Sequence, residues 1–461
     1  MLAALDRNLD LQSDRVAARS VEAEVQNQRS IFDPTIAVTP TYTLGGSNIF
    51  SAGIVTTERA TQGDVSASVS GLLPSSTTYS AALGSQWVPE LGEELFTNTL
   101  TLELGQPLLR GRGSIVRAQI EAALLAADSS TARLRRLVEE TIGSVETAYW
   151  TLGLAEAFEV NAGESLQRAQ DLLDRDQQLA DLGLLAPADV DTARAAVESR
   201  QAALVDAIRN REDAADDILF LVYGREAAAR LRAQGISIAT LPPAEDLAEL
   251  PELAAVEDLA LGSRQDVQAA RHDIEQSRVS LRVADNNLLP ALDAVGEYTA
   301  RTENVDSFRL YQVLSASDLQ FDGFTAGMVL TYSFGNNAAQ AARVQAGLAL
   351  ERDELALAVV ENAVRGEARA ASRALTLGRQ KLDEARQSTQ IERRRYGNGL
   401  EQLRLGLIDS FRVLQYEEDV AAAELVESQA LYALVNARTR YELAVGEIDD
   451  KYISGGAGVS R

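Results

Sequence analysis

The two halves of this 461-residue chain repeat one another, and no other feature restricts its folding as much. Ala4-Leu5, Asp10, Arg15 and Pro34 recur 256 residues later as Ala260-Leu261, Asp266, Arg271 and Pro290, and Tyr42-Thr43 returns as Tyr298-Thr299 at the same spacing. Farther along, Arg117, Gln119, Ala123, Leu124 and Val138 match Arg343, Gln345, Ala349, Leu350 and Val364 at a spacing of 226, and Leu221 and Gly224 match Leu443 and Gly446 at 222. The fall from 256 to 226 places 30 additional residues in the first half, between its opening helix and its long helix. The duplication predicts two copies of one unit, residues 1–224 and 252–447. A linker at 225–251, containing Pro242-Pro243, joins them, and a flexible tail at 448–461 follows.

Each copy reads the same way. An amphipathic helix ends at a proline, which cannot donate the next helical hydrogen bond. Strands follow: Ile36, Val38, Pro40, Tyr42 and Leu44 alternate with Thr35, Ala37, Thr39, Thr41 and Thr43, and Leu100, Leu102 and Leu104 alternate with Thr99, Thr101 and Glu103. In the second copy Phe324, Ala326, Met328, Leu330, Tyr332 and Phe334 oppose Thr325, Gly327, Val329, Thr331 and Ser333. A period of two with one greasy and one small polar face suits a strand between lipid and water, although a half-buried strand in a soluble sandwich looks the same locally. The additional residues hold two more alternating runs, Val65–Leu72 and Tyr79–Trp87, joined by Pro74-Ser75-Ser76 into a hairpin spanning 63–88 that the second copy lacks.

From Arg117 to Leu182 there is no proline, and Leu134, Val138, Ile142, Val145, Tyr149 and Leu152 follow coiled-coil spacing. At ~1.5 Å per residue such a helix reaches about 100 Å, roughly three times the apolar thickness of a bilayer. Gly183-Leu184-Leu185-Ala186-Pro187 turns the chain into a return helix bearing Val190, Val197 and Leu204, and a second turn is expected near Tyr396-Gly397-Asn398-Gly399-Leu400, within 396–407.

Composition removes most chemistry. There is no cysteine, so disulfides, thiolate metal sites and thiol nucleophiles are excluded, and the one histidine, His272, sits between Arg271 and Asp273 in a helical stretch. No catalytic residue, cofactor or metal site is expected, and the chain reads as no enzyme. A carboxylate glycosidase would require an identifiable acid pair and a sugar-stacking aromatic cluster, and neither is evident. The net charge of −25 disfavours nucleic acid and anionic surfaces. No run approaches the ~18 apolar residues of a membrane-spanning helix, so membrane contact would use strands. The opening Met1-Leu2-Ala3-Ala4 lacks the features of a secretory signal.

Gly111-Arg112-Gly113 before a helix lacks the lysine and the full glycine pattern of a phosphate cradle. Asp189 and Asp191 beside the first turn have two readings. They favour the start of the return helix, or, repeated around a symmetry axis, they form a carboxylate ring that filters cations.

The order of these features resembles the TolC-like outer-membrane factor family over nearly the whole chain. The marks are Gln106-Pro107-Leu108-Leu109-Arg110-Gly111 after a barrel strand, Gly183-Leu184 with Asp189-Val190 at the first turn, and Tyr396 with Gly399 at the second. The resemblance implies a mainly α protein with β, a tandem-duplicated protomer of a trimeric 12-stranded β-barrel (four strands per chain) continued by a long α-helical coiled-coil barrel. It implies an exit duct in the outer membrane of a Gram-negative bacterium, serving tripartite efflux or type I secretion. Its partners would be a homotrimer, outer-membrane lipid, a periplasmic adaptor and an inner-membrane pump. By position, Gly183, Leu184, Gly399 and Leu400 would face the adaptor, and Asp189, Asp191, Tyr396 and Arg412 would lie at the periplasmic gate. The sequence departs from the family where Val413-Leu414 is flanked by Arg412 and Gln415 rather than carboxylates, and where several residues read as an insertion between Gly399 and Asp409. A soluble coiled-coil scaffold is the alternative; it explains the heptads but not matched alternating strands in both halves.

Overall fold

Proline and periodicity set the element boundaries. In a computed structural model describing residues 2–51, 54–90, 93–231, 252–305 and 321–449, with positions 237, 313 and 319 besides, the first copy opens with α1 (Leu2–Arg7) and α2 (Leu9–Arg29). After Pro34 come β1 (Thr35–Ser51), β2 (Ile54–Leu72), β3 (Thr78–Glu90) and β4 (Glu93–Pro107), then α3 (Ala118–Asp181) and α4 (Pro187–Leu231), the latter interrupted at Gly224. The second copy comprises α5 (Leu253–Ser263), α6 (Gln265–Asn287), β5 (Ala291–Val305), β6 (Phe321–Thr331), α7 (Asn337–Arg404) and α8 (Ser410–Val445). The 64 residues of α3 and 68 of α7 correspond to about 96 and 102 Å of helix axis at ~1.5 Å per residue.

The chain divides into two units. Residues 19–129 and 271–356 form one, which carries a single antiparallel sheet in the order β1-β2-β3-β4-β5-β6. The expected hairpin is present and longer than 63–88. It lies within the sheet between β1 and β4, so the sheet has six strands: the four that the resemblance implies for a barrel and the two of the additional hairpin. The sheet faces sort by chemistry. Val38, Ala67, Leu83, Leu100, Ala300 and Asp322 form one transverse row, and Ile36, Val69, Ala81, Leu102, Tyr298 and Phe324 the next on the same face. Thr39, Ser66, Gly84, Thr99 and Arg301 form a row on the opposite face, which ends on Phe321 of β6. The apolar face is open: Ile36 is 75% and Met328 73% exposed. One rung of this face is polar, Ser85–Asn98–Thr302, and is buried. No helix among the described residues is long and apolar enough to cross a membrane.

The other unit, residues 1–18, 130–270 and 357–461, is helical, and the duplication is written into its core. Ala4, Leu11 and Ile142 are fully buried in the first copy, and their equivalents Ala260, Val267 and Ala368 are fully buried in the second. At the junctions between short and long opening helices the copies differ. Asn8 caps α2 by accepting from the Leu11 N–H and donates to the Leu221 carbonyl, whereas its equivalent Arg264 pairs with Asp266 and Glu367. The expected linker is helical as far as Leu231; of its remaining residues only Ser237 is described, and the tail from 450 lies outside the described residues. Ile448, expected in that tail, is buried against Leu5, Leu11 and Ile142.

Candidate functional site: hairpin tips and a buried glutamate network

Both long hairpins turn through the same motif. At the end of α3 the Leu184 N–H donates to the Leu179 carbonyl and the Gly183 N–H to the Ala180 carbonyl, each at 2.9 Å. At the end of α7, Leu407 N–H donates to Gln402 at 2.9 Å and Gly406 N–H to Leu403 at 3.0 Å. These paired bonds define the Schellman C-cap, which needs a left-handed residue after the helix, and the two glycines have φ of 74° and 71°. Each glycine is flanked by exposed leucines, Leu182 and Leu184 at one tip, Leu405 and Leu407 at the other. The return helices start differently: Pro187 occupies the first turn of α4, while Asp409 caps α8 by accepting from the Arg412 N–H at 2.9 Å.

The second tip is therefore Leu405-Gly406-Leu407, at the far end of the expected 396–407 range and not at Tyr396 to Leu400. The repeat itself carries the signal, because Leu182-Gly183-Leu184 aligns with Leu405-Gly406-Leu407 at a spacing of 223, between the 226 and 222 found on either side. In that register nothing is inserted before Asp409, and Asp189 corresponds to Arg412. Tyr396-x-x-Gly399 resembles a turn locally, but the helix runs through it. Both lie within α7, and Gly399 is there to admit a ring: a methyl group on it would lie 2.6 Å from Cδ2 of Tyr416.

The remaining expected site residues have local roles. Asp189 is exposed at the start of α4, its N–H donating to Ala186 at 3.0 Å, and Asp191 lies 3.6 Å from Arg194. Arg412 donates to Gln415 at 3.0 Å. Tyr396 is half-buried against Leu172, Leu403 and Val413, where burial pushes its phenol above the usual range. Leu184 is exposed, and Leu400 is exposed on α7.

Sequence reasoning missed the polar interior of the hairpins. Glu417 of α8, 2% exposed, accepts from Ser165 at 2.6 Å, from Arg168 at 3.4 Å and from Arg200 at 3.1 and 3.2 Å. One turn pair farther along α8, Glu424 accepts from Arg168 at 3.2 Å and from Arg393 at 2.9 Å. Two carboxylates thus tie α3, α4, α7 and α8 together. Nearer the tips, Asp176 is wholly buried; one oxygen accepts from Ser410 at 2.8 Å, and the other has no hydrogen-bond partner among the described residues. Its carboxyl is raised above the ordinary aspartate value, chiefly by burial, with Asp189 adding in the same direction. In single sequence these residues read as ordinary helical charges, since nothing marks which face four helices will share.

The Gly111-Arg112-Gly113 stretch is a strand-to-helix turn. The Gly111 N–H donates to the Asn286 side chain at 2.7 Å, which ties the turn to the end of α6. No group of three or more acidic or imidazole side chains able to hold a metal occurs among the described residues.

Residues 52–222 match the family model described as outer membrane efflux protein. No curated protein matches the sequence significantly. Among solved structures, the outer-membrane channel OprN superposes with a TM-score of 0.71 at 18% identity, over 96% of this chain and 88% of that one. The CmeC outer membrane channel of Campylobacter jejuni gives 0.69 at 16%, over 96% and 84%, and the open state of the Neisseria gonorrhoeae MtrE channel 0.65 at 16%, over 96% and 87%.

Proposed function

We infer that this chain, similar to the outer membrane efflux proteins in its matched segment and in fold along nearly its whole length, is one protomer of a passive exit duct in a Gram-negative outer membrane. Three copies close their sheets into a barrel and their helical hairpins into a tunnel, and the assembly receives substrate from a periplasmic adaptor and an inner-membrane pump.

The observation that carries this reading is the sorted sheet. A face of Ile36, Val38, Leu102, Leu104, Met328 and Leu330 open to the surroundings is unfavourable in water, at roughly 25 cal/mol per Å² of apolar area, and favourable against acyl chains. The opposite face, rich in Thr and Ser, suits a water-filled lumen. A soluble scaffold would have to cover this apolar face.

The tips supply the adaptor contact. Leu182, Leu184, Leu405 and Leu407 offer apolar side chains on turns whose backbone is fixed by their own caps, while Asp189 and Arg412 set opposite charges at equivalent positions of the two copies. The gate is the hairpin pair itself. Opening requires α3 and α4 to move against α7 and α8, and the Glu417 and Glu424 network sets the resistance to that motion.

Planar bilayers provide the test. Purified trimer is expected to give discrete, cation-preferring conductance, in keeping with the net charge of −25. A protein that stays monodisperse without detergent and leaves bilayers silent would contradict the reading.

A further inference from the structure

We propose that the hairpin β2–β3 widens the outer-membrane exit, so that three copies of this chain close an 18-stranded barrel instead of a 12-stranded one and pass cargo bulkier than a slender solute. The proposal rests on the trimeric channel reading above and concerns the wall of that channel.

Four features place the hairpin in the wall. The first is connectivity. β1 pairs with β2 from Thr35↔Ser70 to Ser51↔Ile54, and β3 pairs with β4 from Thr78↔Gly105 to Glu90↔Glu93. Among the described strands β1 and β4 are not neighbours, so lifting the hairpin out would strip the hydrogen bonds from both and leave two raw edges in the sheet. The second is chemistry. Val65, Ala67 and Val69 with Ala81 and Leu83 continue the apolar face, and Ser66, Ser68 and Ser70 with Ser80 continue the polar one. A hairpin standing in water above a barrel has no use for that sorting.

The third is registration. The Trp87 indole covers Gly63 directly across the pair, and the Tyr79 ring covers Gly71, its hydroxyl 2.5 Å from where a methyl group on that glycine would sit. Aromatic side chains laid over cross-strand glycines help to pin the register of curved sheets. The fourth is reach and parity. β2 and β3 have 19 and 13 residues, more than the roughly 9–11 a tilted strand needs to cross a bilayer. With six strands per chain, β1 and β6 run in opposite directions, so β6 of one protomer meets β1 of the next antiparallel and the ring closes.

Width follows from strand count. With strands ~4.8 Å apart and tilted about 40°, 12 strands enclose a backbone cylinder about 24 Å across and 18 strands one about 36 Å across. Removing roughly 5 Å of side chain from each wall leaves about 14 Å and about 26 Å. The narrower lumen admits one α-helix of ~10–12 Å, and the wider admits two side by side. The hairpin is thus a size-determining element of the exit, fitted to partly folded polypeptide or comparably bulky cargo.

The absence of cysteine makes single spin labels unambiguous. In a three-fold ring, a label on the wall reports one distance, the radius times √3: about 31 Å for 18 strands and about 21 Å for 12. Thr101→Cys and Leu102→Cys place labels on the polar and apolar faces of β4, and the mean of the two reports the backbone. Ser68→Cys places one in the hairpin itself. In detergent-solubilised full-length protein, light scattering is expected to give a trimer, and the labels a β4 mean of about 31 Å with Ser68 matching Thr101. A trimer whose β4 mean is about 21 Å overturns the proposal and leaves the channel reading standing, whereas failure to form a trimer sinks both. Excision of the hairpin should bring the β4 mean down to the 12-strand distance; if that variant does not assemble, the point labels still decide.

Discussion

Arg200 of α4 donates two hydrogen bonds to one carboxylate oxygen of Glu417 on α8, at 3.1 and 3.2 Å, while Ser165 and Arg168 of α3 occupy the other oxygen. A buried carboxylate so placed holds three helices through one side chain. Breaking a fully buried pair by removing one partner costs about 3–5 kcal/mol, and the cost here is smaller because Arg168 keeps Glu424 and both arginines are partly exposed. Glu417→Gln should therefore lower the unfolding temperature of the assembled protein and raise the open probability of the channel in bilayers. Arg200→Ala should do the same to a lesser degree, since Arg168 remains on the carboxylate. A double-mutant cycle between the two should return a coupling above about 1 kcal/mol; independent effects would remove the network from the gate.

Gly399 gives a sharper stereochemical test. Its neighbour ring, Tyr416, also carries the Arg395 guanidinium 4.4 Å from its centroid, so a ring that moves away from an added methyl gives up that cation–π contact. Gly399→Ala is expected to destabilise by about 1–3 kcal/mol, the usual cost of overpacking. Gly397→Ala, two residues away on the same helix with open space around it, should instead stabilise by roughly 0.5–1 kcal/mol through helix propensity. Thermal melts of the two variants moving in the same direction would contradict this packing.

Asp176 makes stability near the tips depend on pH. Its folded-state carboxyl is raised above its unfolded value by burial, so the folded chain holds the proton more tightly than the unfolded chain does. The associated stabilisation is fully present below the unfolded value and is lost as pH rises through the folded one. At neutral pH the ionised group is therefore a cost. Asp176→Asn, which keeps an acceptor for Ser410, should be more stable than the parent at pH 7, and the gap should close on acidification toward about pH 4. A gap that widens with acid would mean the carboxylate is favourably solvated in the folded state.

What could be read from sequence depended on how each feature is encoded. The duplication, the strand alternation and the long helices were legible because each is a local period: Ile36-Val38 and Met328-Leu330 state their faces within a few residues, and Ala4 and Ala260 proclaim one core position twice. The hairpin was visible as two alternating runs, but its place in the sheet was not, because alternation states which face a residue takes and not which strand lies alongside. The second tip was misplaced by a local cue, Tyr396 to Gly399, although the internal repeat already aligned Gly183 with Gly406. Glu417, Arg168 and Arg200 were illegible for a physical reason. Their burial exists only where four helices meet, and in each helix alone they occupy positions suited to solvent.

If one face of the sheet meets lipid and the other meets water, β6 shows it most directly. Cysteines introduced one at a time from Phe324 to Thr331 in this cysteine-free chain can be probed in intact outer membranes with a water-soluble maleimide. Modification is expected at Thr325, Gly327, Val329 and Thr331, with protection at Phe324, Ala326, Met328 and Leu330 that is lost in detergent-free unfolded protein. Uniform protection of both sets, or uniform labelling of both, would show a strand buried in protein or lying in water, and the channel would be contradicted.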